Sequence, residues 1–235
     1  MDLHSPMGDL ERELGVTFKN QDLLRQALVH RSYLNEHPDF PIGHNERLEF
    51  LGDAVLELVV TEYLYENYNN PEGELTNWRA SLVNADTLSD ICARWGTESF
   101  LYLSRGESKD AKSKARRYIL ANACESIIGA MYLDQGWDVA KRFILDHILV
   151  ELPKILELKL YVDPKSRFQE EAQERFAVTP AYKVIEESGP DHAKKFVMGV
   201  YLGRELVATG EGTSKQEAQV AAAQNALKAK GWVHP

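Results

Sequence analysis

The feature that most constrains the fold is a change of pattern at Tyr161-Val162-Asp163-Pro164. Before it, apolar residues recur at helical spacing through segment after segment. After it, they alternate as in strands between two helical stretches. Such a chain reads as two domains, an all-α domain followed by a small α+β domain of order α-β-β-β-α. The short polar stretch 161–164, with its proline, reads as the linker, leaving domains over residues 1–160 and 165–235. With 235 residues, 44% of them apolar, the chain can bury two cores and overall disorder is not expected.

Helices are predicted over residues 9–14, 20–31 and 45–68, the last stopped by the turn at 69–73. Another runs over 74–95, bent or broken near Asn84 and ended by Gly96. Residues 104–117 are polar and charged and read as a loop. Residues 118–134 form the next helix, and 137–160 form one or two more, Pro153 opening the second. In the C-terminal part, helix 166–176 precedes strands at 181–188, 194–202 and 204–210. The Ala-rich helix 214–230 closes the domain, its small side chains suited to close packing on a sheet.

The chemistry is concentrated in NERLEFLGD, residues 45–53. Glu46, Glu49 and Asp53 stand at i, i+3 and i+7, one face of a helix. Like charges at that spacing repel, more so among Leu48, Phe50, Leu51 and Val55, and a divalent cation that takes hard oxygen ligands is the usual compensation. A second pair, Asn122 and Glu125, lies one turn apart in the nearly apolar ILANACESIIGAMYLD. Two such helices face to face would gather carboxylates and one amide around a point that suits Mg²⁺. The blander reading makes Asn45 an N-cap and Glu46 a first-turn acid favoured by the helix dipole. It explains Glu125 less well, because Glu is rarely buried unpaired.

The net charge of −9 argues against a nucleic-acid partner only as a sum. Residues 1–162 carry 17 Lys+Arg against 26 Asp+Glu, and residues 163–235 carry 10 of each, so the second domain is free to present a local basic face. Cys92 and Cys124 have the spacing of neither a disulfide framework nor a metal site, which points to a reducing compartment. No membrane span and no signal peptide are read from the sequence, so a soluble, cytoplasmic protein is expected.

NERLEFLGDAVLELVVTEYLY resembles the signature of the ribonuclease III family, and LANACESIIGAMYLD resembles its second acidic motif. GELTNWRASLVNADTL between them is also similar to the family, and the C-terminal module resembles a double-stranded RNA-binding domain. The resemblance covers roughly residues 9–231. It implies a Mg²⁺-dependent endonuclease that cuts double-stranded RNA, with Mn²⁺ able to substitute. The products would carry 5′-phosphates, 3′-hydroxyls and short 3′ overhangs. Processing of ribosomal RNA precursors and other structured transcripts would be its task. The implied metal ligands are Glu49, Asp53, Asn122 and Glu125, with Asp53 and Glu125 catalytic. Glu46 and Glu72 match acidic positions near the dimer interface and the RNA-processing valley of a homodimer. One departure stands out: the family usually has Asp where this chain has Asn122, which removes one negative charge.

In the C-terminal module the resemblance assigns RNA contacts to Ser166, Gln169, Glu170 and Gln173 on the first helix. Others fall on His192 in the Gly189-Pro190-Asp191-His192 turn, and on Ser214 and Lys215 at the start of the last helix. These residue types can reach 2′-hydroxyls, base edges and phosphates across the wide minor groove of A-form RNA. Two other readings compete. One is a double-stranded RNA-binding regulator with weak or no cleavage because of Asn122. The other is an all-helical interaction protein with a solvated acidic face.

Overall fold

The computed structural model describes residues 6–109, 113–190 and 194–232. They divide into two compact units, one up to Ile155 and one from Leu156. The first is helical: α1 (Pro6–Leu14), α2 (Gln21–Ala27), α3 (Arg31–Glu36), α4 (Glu46–Asn67) and α5 (Glu72–Val83) are followed by α6 (Ala85–Arg94), α7 (Arg105–Lys109), α8 (Lys114–Gln135), α9 (Trp137–His147) and α10 (Leu152–Glu157). Helix α8 is the axis of the unit. Ile119, Leu120, Ala123, Cys124, Ile127, Ile128 and Met131 bury nearly its whole circumference, as expected of a central helix. Helix α4 lies along it through Leu48, Val55, Leu56, Val59, Val60 and Leu64. At the far end of α8, the Asp134 carboxylate accepts the backbone N–H groups of Lys19 and Asn20, each at 2.8 Å.

Several boundaries differ from the sequence expectation for identifiable reasons. The helix expected over 20–31 stops at Ala27, because residues 28–30 leave it to pair with Tyr102. The Tyr102 N–H donates to Leu28 O at 3.0 Å, and the His30 N–H donates to Tyr102 O at 3.1 Å. His30 then caps α3, its Nδ1 accepting from the Ser32 N–H. The expected loop 104–117 contains α7 and the first turn of α8, where Ser113 Oγ accepts the Arg116 N–H at 3.1 Å. Helix α5 begins at Glu72, inside the expected turn.

Asn84 does break the helix expected over 74–95. Its Nδ2 donates to Ala80 O and Ser81 O while its Oδ1 accepts the Thr87 N–H, so it ends α5 and caps α6 together. Asn45 is not a side-chain cap. It is buried, its Nδ2 donates to Ala27 O at 3.3 Å, and its own N–H donates to Val29 O at 2.9 Å.

The second unit has α11 (Pro164–Phe176), β1 (Ala181–Ser188), β2 (Lys195–Leu202), β3 (Glu205–Gly212) and α12 (Lys215–Ala229). Its antiparallel sheet has the order β1-β2-β3. Asp163 caps α11 and Pro164 is its first residue, so Pro164 belongs to the helix rather than to a linker. Phe168, Ala172, Met198, Val200, Ala218, Ala222, Ala226 and Trp232 form the core between helices and sheet. The alanine face of α12 closes on β3 so tightly that a Cβ on Gly210 would stand 2.1 Å from the Ala222 nitrogen. Among the described residues, no helix is long and apolar enough to cross a membrane.

Candidate metal centre and RNA interface

Two glycines bring the predicted acidic residues together. A Cβ on Gly52 of α4 would lie 1.7 Å from the Glu125 carbonyl oxygen of α8, and one on Gly129 would lie 2.2 Å from the Leu48 carbonyl oxygen. The backbones therefore touch at this crossing, where only hydrogen fits. Glu49 and Asp53 flank Gly52 along α4, and Glu125 is itself the backbone that Gly52 meets. The sequence reading did not single out either glycine. Their signal was available, since a glycine inside a strong helical pattern is costly and calls for a packing reason.

The electrostatics follow from that crossing. Burial pushes the Glu125 carboxyl up from 4.5 to about 8, reinforced by Asp53, Glu49 and Glu57. Burial also raises Glu49, with Glu46 and Asp53 adding to it, while a hydrogen bond from the Asn122 side chain lowers it. Asp53 is raised by burial and then by Glu57. Glu57 was absent from the sequence-level set, although it continues the same face as i+4 from Asp53.

Among the described residues, none of Glu49, Asp53 and Glu125 forms an ion pair with Lys, Arg or His. Nor is any group of three His, Cys, Asp or Glu side chains positioned to hold a metal ion as it stands. The donor set is nevertheless of the right kind. Partly buried carboxylates and one amide, all oxygen donors with no ion pair to a protein cation, fit a hard divalent ion in kind.

Glu46 lies at the mouth of this cluster, with Arg31 Nη1 at 3.6 Å and His44 Nδ1 at 3.8 Å. Glu72 is elsewhere in the same unit. It opens α5 beside a cleft of about 780 Å³ shared with Tyr65, Tyr68 and Arg79, and its carboxylate accepts from the Thr76 hydroxyl. In the second unit, Ser166, Gln169, Glu170 and Gln173 are all exposed along α11 at the spacing of one helix face. Ser214 caps α12 through its Oγ. Lys215 is exposed, 3.9 Å from Glu187 and over the Phe196 ring. His192 lies outside the described residues.

Both units match families of known proteins. Residues 20–152 match the model of a Ribonuclease-III-like family, and residues 164–230 match a double-stranded RNA binding motif. The chain belongs to the ribonuclease III family. A Ribonuclease 3 from Chloroflexus aurantiacus is 42% identical over 228 residues, covering 95% of this chain and 91% of the relative. One from Syntrophomonas wolfei is 47% identical over 212 residues, covering 90% and 89%. The crystallised nuclease domain of the Campylobacter jejuni ribonuclease III superposes with a TM-score of 0.55 at 37% identity, over 63% of this chain and 99% of that one. That protein is described as having a flexible region involved in dimer formation. The present chain is thus an endoribonuclease of ribonuclease III type, a helical nuclease domain joined to an α-β-β-β-α RNA-binding domain.

Proposed function

We propose that this ribonuclease III cuts both strands of double-stranded RNA with a divalent cation, Mg²⁺ or in its place Mn²⁺. On this reading, hydrolysis leaves 5′-phosphate and 3′-hydroxyl ends with short 3′ overhangs on structured transcripts such as ribosomal RNA precursors, in the cytoplasm. Residues 1–160 serve as the endonuclease domain and 165–235 as the RNA-binding domain. The observation that carries the proposal is the α4–α8 crossing at Gly52 and Gly129, which sets Glu49 and Asp53 against Glu125 and Asn122.

Glu49, Asp53, Asn122 and Glu125 would hold the cation. When bound, it supplies positive charge against the charge that develops on the phosphodiester. The protein's own contribution is orientation. The α4–α8 crossing positions the helices that carry the carboxylates, Asn122 hydrogen-bonds Glu49, and burial beside Asp53 and Glu49 disfavours the Glu125 charge until a cation offsets it. Ser166, Gln169, Glu170, Gln173, Ser214, Lys215 and His192 would hold the duplex by shape, spanning roughly 16 bp.

A homodimer through the endonuclease domain is supported by exposed apolar side chains along α4. Phe50 is 81% exposed, Tyr65 80% and Leu58 57%, more than a monomer surface usually leaves on one helix. Asn122 and its contact with Glu49 favour one second reading, an RNA-binding regulator that cuts weakly. The test is cleavage of a long labelled duplex against Mg²⁺ concentration, with Asp53→Ala and Glu125→Ala alongside. Wild type should cut and both variants should lose cutting while binding the duplex. A variant that cuts at the wild-type rate would refute the site. A wild type that only binds would favour the regulator.

A further inference from the structure

Asn122 faces two places. Besides contacting Glu49, it lines a cleft of about 410 Å³ whose other walls include His30, Arg31, Ser32, Asn35 and Tyr118. Arg31 and Asn122 therefore line one cleft, together with Glu107, and Asn122 adjoins the acidic cluster through Glu49. Its guanidinium is held only loosely. The Glu46 carboxylate is 3.6 Å away, and the two side chains are 72% and 49% exposed, so the pair is worth little. Its mount is rigid by contrast. The backbone on either side of Val29 is fixed by the Tyr102 bridge, and Ser32 Oγ both contacts His30 Nδ1 and accepts the Ser104 N–H.

Two other arginines of this region, Arg116 and Arg117, are engaged elsewhere. Arg116 is buried, donating to Glu107 O at 2.7 Å and lying 3.6 Å from Glu98. Arg117 is held by Asp86 and Asp90. A phosphodiester at this acidic cluster would face several carboxylates, and Arg31, 3.6 Å from Glu46, is an arginine placed to offset them.

We infer that Arg31 is a substrate-binding residue of the nuclease domain, exchanging Glu46 for an RNA phosphate beside the scissile bond. The inference rests on the reading of the acidic cluster as the cleavage site. Arginine suits the task because its planar fork can take a phosphate through two N–H groups at once.

The experiment compares the full-length wild type with Arg31→Ala and Arg31→Lys on one duplex in Mg²⁺, across a range of KCl, with kcat and KM measured separately. Loss of one charged phosphate contact should lower kcat/KM by about 10- to 100-fold at low salt. It should also flatten the log kcat/KM against log salt slope by about 0.9. Arg31→Lys should recover the slope and part of the rate, and the melting temperature of Arg31→Ala should stay within about 3 °C of wild type. Wild-type slope and kcat/KM in Arg31→Ala would overturn the inference while leaving the cleavage site intact. So would a Lys variant as impaired as the Ala variant with an equal loss of melting temperature, which marks a structural role. A wild type that leaves the duplex uncut would sink the underlying reading as well.

Discussion

Adding one methyl group at Gly52 should separate the two halves of the proposed cleavage site. In Gly52→Ala the new Cβ would sit 1.7 Å from the Glu125 carbonyl oxygen, 2.6 Å from the carbonyl carbon and 2.9 Å from the Gly129 nitrogen. All three are backbone atoms, so no side-chain rotation relieves the clash. Ordinary contact begins at 3.4 Å, so α4 must move off α8 by up to 1.7 Å. Overpacking of this kind costs about 1–3 kcal/mol or more, a fall in melting temperature of roughly 2–12 °C for a chain of this size. Displacing reacting groups by about 1 Å costs on the order of 100-fold in rate. We expect single-turnover cleavage of a labelled duplex to drop by at least about 100-fold, with duplex binding retained by the second domain. Gly8→Ala is the control, since nothing lies within 4 Å of its Cβ position. If Gly52→Ala cuts within threefold of wild type and melts at the same temperature, the crossing does not set the site.

Three further outcomes are expected. Because the folded protein holds the Glu125 proton up to about 8 against an ordinary 4.5, it binds more protons than the unfolded chain between those values, and stability declines as pH rises through that window. In chelator, the stability of Glu125→Gln relative to wild type should therefore increase from pH 5 to pH 8, by up to a few kcal/mol; a difference that stays constant in urea melts would contradict this. Asn122→Asp adds a further carboxylate beside Glu49, Asp53 and Glu125. It should melt lower than wild type in chelator, recover on adding Mg²⁺, and reach half-maximal cleavage at lower Mg²⁺, a gap that Mn²⁺ narrows; identical Mg²⁺ titrations would remove position 122 from the centre. Phe50→Asp, on a side chain 81% exposed, should leave melting of the dilute protein nearly unchanged yet shift sedimentation from dimer to monomer, and an unshifted dimer would place the interface elsewhere.

The two-domain order and the acidic residues were legible because they rest on periodicity. Glu49 and Asp53, and likewise Asn122 and Glu125, are neighbours within single helices, and helical spacing alone puts each pair on one face. What joins the pairs is tertiary, a backbone approach at Gly52 and Gly129 that no local pattern reports. The same limit hid Arg31. Residues 28–30 leave the helical pattern to bridge Tyr102, a partner more than 70 positions away, so periodicity carried the predicted helix straight through them. Helix α7 was missed because its five residues are all polar or glycine. Asn84 was found because a polar residue within a long helical pattern signals a stop.

The place of α8 in the chain also orders events during synthesis. Glu125 follows Asp53 by 72 residues, about 4 to 14 s of translation at 5–20 residues per second. Until α8 leaves the ribosome, α4 has no partner for Leu56, Val59, Val60 and Leu64, which end fully buried. The nascent enzyme thus carries half of its acidic cluster with nothing opposite it. On the proposed site, the two halves of the acidic cluster can meet only after α8, which ends at Gln135, has been made.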